Sequence, residues 1–228
     1  MTQASPSLQS PHAIIVSNGA LEPTERLLAL VDGADLVLAA DGGANWLAAH
    51  GRLPHVLVGD MDSVHPDVLR ALEMGHCRVV RHPAAKDQTD TELALHEALT
   101  LSARRITLLG AWGGRMDHAL ANVLLLTMPL LAGIDVALFD GVSTARLVRR
   151  ALTLSGEPGD VLSLLPLDGP AVGVTTHGLE YALHDDTLAF GPARGISNLF
   201  VDAQATITVR SGLLLAVHTQ RRHLEPRA

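Results

Sequence analysis

The sequence predicts an α/β protein, in which an N-terminal parallel-sheet α/β domain of Rossmann-like type precedes a small C-terminal antiparallel β-sandwich. Up to about residue 140, short apolar runs alternate with segments of helical spacing, as in βα units that build a parallel sheet with helices on both faces. Beyond that point helical spacing disappears, and short apolar runs recur between Gly, Pro and Asp turns, which is typical of sandwiches and barrels. We therefore predict two domains, residues 12–142 and residues 143–220.

In the first domain, the predicted strands are short apolar runs and the predicted helices fill the segments between them. The strands are residues 13–17, 36–40, 56–58, 78–80, 106–109 and 134–139. The helices are residues 21–31, 44–50, 66–74, 89–101 and 117–131. Two helix starts have local signals: Pro66 suits the first turn of a helix, and Thr89 with Glu92 has capping-box spacing.

The second domain contains six predicted strands and no predicted helix. The strands are residues 145–148, 161–164, 172–175, 179–183, 206–209 and 213–218. The two ends of the chain, residues 1–11 and 221–228, are expected to be frayed.

Composition excludes several function classes. A net charge of −7 and a pI of about 5.9 argue against a nucleic-acid-binding protein, which usually has a basic face. The single cysteine, Cys77, cannot form an internal disulfide, which fits a cytoplasmic protein. Residues 1–11 lack the pattern of a leader, and the apolar residues 119–132 are too few for a membrane span. We predict no membrane segment, and a buried helix at residues 119–132.

Four short polar clusters follow, or lie close behind, predicted strands of the first domain. They are residues 41–45 (DGGAN), 59–63 (GDMDS), 86–90 (KDQTD) and 113–118 (GGRMDH). Because ligands of open α/β sheets bind at the carboxyl ends of the strands, we expect these clusters to converge. Carboxylates, one lysine, one arginine and glycines at one edge indicate a site for Mg²⁺ and a polyphosphate.

In residues 59–63, Asp60 and Asp62 are two residues apart, and both can reach one hard cation from a turn that Gly59 permits. The alternative interpretation is a solvated turn, in which Asp62 or Ser63 caps the next helix.

In residues 86–90, Lys86 is the only lysine in a chain with 16 arginines, and a compact ammonium suits a phosphate oxygen. Asp87 is a candidate third ligand of the metal. The alternative gives Thr89 and Asp90 to helix capping and Lys86 to a surface ion pair. Both interpretations can hold, because a helix N-terminus itself favours anions.

In residues 113–118, the glycines allow backbone N–H groups to approach a phosphate, and Arg115 offers a planar fork to its oxygens. His118 and Asn122 are four residues apart and share a helix face. The alternative is a loop with a helix cap at Asp117.

In residues 41–45, Gly42 and Gly43 precede a helix and suit close approach of a ligand. Neither GxGxxG nor GxxxxGK[ST] is present, which excludes the common dinucleotide and P-loop motifs.

Taken in order, DGGAN, GDMDS, KDQTD, GGRMDH with Asn122, and GISN at residues 195–198 resemble the thiamine pyrophosphokinase family. The resemblance implies an α/β nucleotide domain, a C-terminal β-sandwich, and a homodimer in which thiamine binds between one subunit's N-terminal domain and the partner's C-terminal domain. It implies the reaction of thiamine with ATP and Mg²⁺ to give thiamine diphosphate and AMP.

The resemblance also implies roles for single residues. Asp60, Asp62 and Asp87 match the family's metal and phosphate-site acids, and with Lys86 and Arg115 they form the expected catalytic set. The wider ATP and substrate site is matched by Asp41, Gly42, Gly43, Asn45, Thr89, Asp90, Asp117, His118 and Asn122. Ser197 and Asn198 match the thiamine-side motif. Leu199 departs from the Glu that bacterial members often have there, and with no tryptophan in the C-terminal half, Tyr181 or Phe200 is the candidate to stack on thiamine.

Three other functions remain open from the residues alone. The first is a pyrophosphokinase for another acceptor, such as a hydroxymethyl pterin, since similar acids would serve the ATP half. The second is a catalytically silent thiamine or nucleotide sensor, and the third is a phosphohydrolase that uses the same metal site.

Overall fold

The computed structural model describes residues 11–223, which divide by their contacts into two compact units. The first unit runs to Met116 and includes Ala132–Asp135, and the second contains Asp117–Leu131 and the chain from Val136 onward. This division assigns most of the fifth helix to the second unit, while the predicted domain limits at residues 12–142 and 143–220 stay a prediction. Of the ends expected to be frayed, residues 1–10 and 224–228 lie outside the described residues.

The first unit is a parallel α/β sheet. Its strands are β1 (His12–Val16), β2 (Leu36–Ala40), β3 (Val56–Gly59), β4 (Arg78–Arg81) and β5 (Arg105–Leu109), in the spatial order β5-β1-β2-β3-β4. Every neighbouring pair is parallel. The helices are α1 (Glu25–Asp32), α2 (Gly43–Ala49), α3 (Pro66–Met74) and α4 (Asp90–Thr100). Strands β1, β2, β3 and β5 are almost wholly buried, as expected of a sheet that is covered on both faces, whereas β4 is partly exposed.

Local signals define two helix starts in this unit and correct a third. Thr89 is the N-cap of α4, and its Oγ1 accepts a hydrogen bond from the Glu92 N–H at 3.2 Å, as the capping box predicts. Pro66 is the first residue of α3. Helix α1 begins at Glu25 and not at residue 21, because Thr24 caps it by accepting from the Leu27 N–H.

The fifth helix, α5 (Met116–Leu125), is shorter and more exposed than expected. It ends six residues before the predicted residue 131, and Pro129–Leu131 form a separate 3₁₀ turn, since Pro129 has no N–H to continue the ladder. Leu120 and Leu124 are 58% and 54% exposed, so the prediction of a buried helix is wrong. Among the described residues, no helix is both long and apolar enough to span a membrane.

The second unit is a β-sandwich. Its strands are β6 (Asp135–Phe139), β7 (Ser143–Val148), β8 (Ala151–Ser155), β9 (Val161–Pro166), β10 (Ala171–His177), β11 (Asp186–Leu188), β12 (Asn198–Leu199), β13 (Gln204–Thr208) and β14 (Leu214–Thr219). One layer has the order β12-β9-β14-β7-β6 and the other β11-β10-β13-β8, with antiparallel neighbours throughout. Side chains of both layers form one core around Phe200.

The sandwich confirms the predicted fold class, although three of its strands were not predicted. Strands β8, β11 and β12 fall outside the six expected segments. Residues 179–183, expected to be a strand, contain only the isolated bridge between Leu179 and Phe200.

Candidate active site

An acidic group lies at the carboxyl ends of β2 and β3. These strands are parallel neighbours, with Ala40 opposite Val58, and the Asp41 N–H donates to the Val58 carbonyl at 2.8 Å. Asp41 follows β2, and Asp60 and Asp62 follow β3. One carboxylate oxygen from each of the three lies within 4.8 Å of the others, which is close enough for a shared cation.

The backbone around this group adopts unusual conformations. Asp41 and Met61 have φ of 46° and 71°, in the left-handed region that side chains other than Gly seldom occupy. Gly59 has φ of 150°, and a Cβ there would lie 3.0 Å from Asp41 Cβ and 3.1 Å from Asp90 Oδ1. A glycine is therefore required to bring the carboxylates together, and the two strained residues are of the kind that cluster at functional sites.

Asp41 has the electrostatics of a cation ligand. It is 6% exposed, and among the described residues its Oδ1 is buried without a hydrogen-bond partner. Burial raises its pKa, the nearby Asp90 and Asp62 charges add to that, and a hydrogen bond with Ser63 works the other way. A buried, unsatisfied carboxylate oxygen is costly unless a cation meets it, and an all-oxygen group is the donor set that Mg²⁺ prefers. The residues present thus fit a magnesium ion.

Lys86 lies against the acidic group. Its Nζ is 3.4 Å from Asp60 Oδ2 and 3.0 Å from Asp90 Oδ1, and its side chain is only 10% exposed. Burial works to lower the pKa of Lys86, but the hydrogen bonds and charges of Asp90 and Asp60 outweigh it, so that the pKa is raised. The pKa of Asp60 is lowered, first by the hydrogen bond from the Asp62 N–H and then by Lys86. This lysine is therefore a largely buried partner of site carboxylates and not a surface ion pair.

The structure does not bring Asp87 into the acidic group. Asp87 is exposed in the bend that precedes the N-cap Thr89, whereas Asp41 occupies the third position of the group. Asp90 contacts Lys86, and the next residue, Thr91, shares a buried 2.9 Å hydrogen bond with Ser17 at the end of β1.

The loop before α5 contains two glycines in the left-handed backbone conformation. Gly113 and Gly114 both have positive φ, 76° and 69°. Arg115, Asp117 and His118 are exposed, with the Asp117 carboxylate accepting from the His118 N–H at 3.0 Å, whereas Asn122 is 6% exposed.

One segment at the carboxyl edge of the sheet was missed by the sequence reasoning. Residues 17–19 follow the central strand β1, and a Cβ on Gly42 would lie 2.4 Å from the Asn18 side chain. A Cβ on Gly19 would lie 2.2 Å from the Gly110 carbonyl oxygen. The available signal was the Asn-Gly pair directly after the first predicted strand.

In the second unit, Ser197 and Asn198 form a tight, hydrogen-bonded corner. Ser197 has φ of 57°, and its N–H donates to Ser163 Oγ at 3.1 Å. The Asn198 side chain forms hydrogen bonds with the backbone of Tyr181, and Tyr181 is 65% exposed. Phe200 is 1% exposed and stacks on His218 at 4.8 Å between ring centroids. Phe200 is therefore a core residue, and of the two candidate aromatic residues only Tyr181 is accessible to a ligand.

Comparison with known proteins identifies related sequences over both units. Residues 27–138 match the family model described as "Thiamin pyrophosphokinase, catalytic domain", and residues 151–214 match "Thiamin pyrophosphokinase, vitamin B1 binding domain". The thiamine pyrophosphokinase of Bacillus subtilis (strain 168) is 26% identical over 215 residues, covering 90% of this chain and 97% of the relative. Thiamine pyrophosphokinase 1 of Arabidopsis thaliana is 29% identical over 236 residues, covering 92% and 87%.

Solved structures give the same result. The crystal structure of thiamine pyrophosphokinase from B. subtilis is similar with a TM-score of 0.82 at 26% identity, covering 92% of this chain and 99% of that one. The Geobacillus thermodenitrificans thiamin pyrophosphokinase structure gives a TM-score of 0.79 at 28% identity, covering 92% and 97%.

Proposed function

The chain belongs to the thiamine pyrophosphokinase family, and we propose that it transfers the diphosphoryl group of ATP to the hydroxyl group of thiamine, giving thiamine diphosphate and AMP. The observation that carries this function is the acidic group of Asp41, Asp60 and Asp62 beside Lys86. It lies within the residues that match the family's catalytic domain. The match of the sandwich to the vitamin B1 binding domain favours thiamine over a pterin as the acceptor.

Asp41, Asp60 and Asp62 would hold Mg²⁺. The bound ion supplies positive charge that neutralises phosphate oxygens of ATP. Asp87, the ligand expected from the resemblance, lies outside this group of carboxylates, and Asp41 with its unsatisfied buried oxygen is the better candidate for the third ligand.

The transfer itself requires little covalent chemistry from the protein. The thiamine hydroxyl oxygen forms a bond to the β-phosphorus of ATP, the bond from that phosphorus to the α,β-bridging oxygen breaks, and AMP leaves with that oxygen. The hydroxyl proton is released to solvent water. Positioning and neutralisation of charge dominate such reactions. Lys86 pairs with Asp60 and Asp90 and holds both carboxylates in place. Arg115 with the loop at Gly113 and Gly114 binds phosphate oxygens.

On the thiamine side, Ser197, Asn198 and Tyr181 support recognition of the acceptor. Tyr181 offers an exposed ring to an aromatic ring of the ligand. Leu199 has no carboxylate to place beside the thiazolium cation, so recognition there relies on stacking and on backbone groups.

The protein acts as a homodimer in the cytoplasm in this proposal. Met116, Leu120 and Leu124 recur at four-residue spacing on α5 and are exposed by 78%, 58% and 54%. A stripe of this kind on a water-exposed helix suits burial against a second copy of the chain.

Incubation with ATP, Mg²⁺ and thiamine tests the function. AMP and thiamine diphosphate should appear in equal amounts, and no nucleotide should be consumed without thiamine. ADP with thiamine monophosphate would refute diphosphoryl transfer. Nucleotide consumption that is independent of thiamine would indicate a phosphohydrolase, and binding without AMP release would indicate a sensor.

A further inference from the structure

Asn45 on α2 uses both ends of its side-chain amide to hold the loop that follows β3. Its Nδ2 donates to the Ser63 carbonyl oxygen and its Oδ1 accepts from the His65 N–H, both at 2.8 Å. The two hydrogen bonds reach two residues of one loop, 18 and 20 positions further along the chain. A side chain with its donor and acceptor both engaged with backbone has less capacity left for a ligand.

This loop is the part of the acidic group that the sheet alone does not fix. It contains Asp60 and Asp62, with Met61 between them at φ of 71°. The Asp62 N–H donates to Asp60 Oδ1 at 3.2 Å, and Ser63 Oγ donates to Asp62 Oδ1 at 2.9 Å. Both hydrogen bonds lie within the loop and do not tie it to another element. A left-handed residue persists only when its surroundings impose it.

Helix α2, which carries Asn45, is packed closely against the sheet. A Cβ on Gly43 would lie 1.9 Å from the Val16 carbonyl oxygen, so the helix start is packed directly onto β1. Ala44 and Leu47 are fully buried. Asp41 precedes this helix, and its carbonyl accepts from the Ala44 N–H at 3.1 Å. One element thus holds Asp41 at its start and the Asp60–Asp62 segment through Asn45.

We propose that Asn45 is a positioning residue, which couples the loop of residues 60–65 to α2 and so sets the spacing of the three carboxylates that receive the metal. The metal part rests on the proposed function. In this role Asn45 contacts neither ATP nor thiamine. The resemblance implied that Asn45 contacts a ligand directly, and we propose the positioning role in place of that contact.

The first arm of the test uses the metal-free protein. Asn45→Ala removes both hydrogen bonds, and Asn45→Leu removes them while keeping a side chain of similar size. Amide hydrogen exchange in the loop of residues 60–65 should speed up, by about tenfold or more at His65, whose N–H loses its acceptor. Asp67→Ala is the matched control, because its 94% exposed side chain follows the loop and its one ion pair within residues 11–223 is with Arg70. Unchanged exchange at His65 in both Asn45 variants would overturn the proposal.

The second arm measures Mn²⁺ affinity by calorimetry without nucleotide. Both Asn45 variants should bind Mn²⁺ about 10- to 100-fold more weakly, as is usual when a residue that orients metal ligands is lost. Turnover should recover substantially at high Mg²⁺, with the KM for thiamine unchanged and Asp67→Ala like the wild type. A raised KM for ATP with normal exchange and normal Mn²⁺ affinity would show that Asn45 contacts nucleotide, against the proposal. Absence of Mn²⁺ binding by the wild type would refute the metal site itself, while the exchange arm judges Asn45 separately.

Discussion

Asn198 and Tyr181 are joined by two hydrogen bonds through one side-chain amide. Asn198 Oδ1 accepts from the Tyr181 N–H at 3.0 Å, and Nδ2 donates to the Tyr181 carbonyl at 2.8 Å. The amide therefore substitutes for a strand partner and fixes the backbone of Tyr181, while Tyr181 stays 65% exposed. Asn198 of the thiamine-side motif is thus engaged in holding an aromatic residue in place.

Removing the ring of Tyr181 should weaken thiamine binding. Tyr181→Ala is expected to raise the KM for thiamine about 3- to 10-fold, the equivalent of an aromatic contact of about 0.5–1.5 kcal/mol. The KM for ATP should not change, and Tyr181→Phe should behave like the wild type because it keeps the ring. Phe190→Ala, at a residue 61% exposed in the same unit, is the matched control. Steady-state kinetics with each substrate varied gives the answer, and an unchanged KM for thiamine in Tyr181→Ala would remove Tyr181 from the site.

The parts of the fold that depend on local chemistry were predictable from the sequence. Pro66 begins α3 and Thr89 caps α4, because each signal acts within one helical turn. The convergence of residues 41 and 60–62 followed from the rule that parallel strands end at one edge. Helical spacing alone misplaced the start of α1, because it ignored the cap at Thr24.

The remaining features depend on tertiary neighbours that one sequence does not reveal. Asp41 joins Asp60 because β2 pairs with β3, while Asp87 follows β4, the last strand of the sheet order. Nothing local distinguishes Tyr181 from Phe200 as a ligand contact, yet Phe200 fills the sandwich core. The role of Asn45 likewise appears only when α2 and the loop after β3 are both in place.

Exchanging Asp41 and Asp87 for asparagine separates the two possible ligand sets. Asp41→Asn is expected to lower kcat by at least about 100-fold and to raise the Mg²⁺ concentration needed for half-maximal activity, since it removes the one buried charge of the acidic group. Asp87→Asn should have a much smaller effect on the Mg²⁺ requirement, because Asp87 is exposed outside that group. Mg²⁺ titrations of activity measure both. The reverse order of effects would restore Asp87 as the third ligand, and wild-type behaviour of Asp62→Ala at saturating Mg²⁺ would refute the metal site.

Lys86→Ala should damage turnover more than folding. The substitution leaves Asp60 and Asp90 without their cation in a site where Lys86 is 10% exposed. Loss of one such charge is expected to lower kcat on the order of 10²- to 10³-fold. The melting temperature with Mg²⁺ bound should change little by comparison, because the ion offsets the repulsion among the carboxylates that remains when Lys86 is removed. Arg78→Ala is the control, since it removes the cation of an ion pair between β4 and Glu97 of α4, away from the acidic group. A rate equal to that of the wild type would leave Lys86 with a structural role only.

Acid should weaken the sandwich through Asp160. Burial raises its pKa, but hydrogen bonds from the Arg221 and Glu157 N–H groups and from His218 prevail, and the pKa is lowered from 3.8. Because the folded-state pKa lies below the unfolded one, ionised Asp160 stabilises the fold above pH 3.8, and this contribution is lost as the pH falls through the folded-state pKa. Asp160→Asn should therefore lower the free energy of unfolding by about 1–3 kcal/mol at pH 7 and flatten its decline below pH 4. Urea unfolding across pH measures this, and parallel curves for wild type and variant would contradict it.

Placing charge on the exposed stripe of α5 should separate the subunits of the proposed dimer. Leu120→Glu and Leu124→Glu would each have to bury a carboxylate without a partner if the stripe packs against a second copy, which is costly. Light scattering after size exclusion should give twice the 24.1 kDa chain mass for the wild type and the single-chain mass for both variants. Leu53→Glu, at a residue 64% exposed in the first unit, adds the same charge away from α5 and should leave the dimer intact.

A monomeric wild type would refute the dimer, and α5 variants that remain dimeric would show that the interface lies elsewhere. A monomeric variant that still forms thiamine diphosphate at the wild-type rate would show that each chain contains a complete site, whereas loss of thiamine affinity together with the dimer would show that the acceptor site needs both copies.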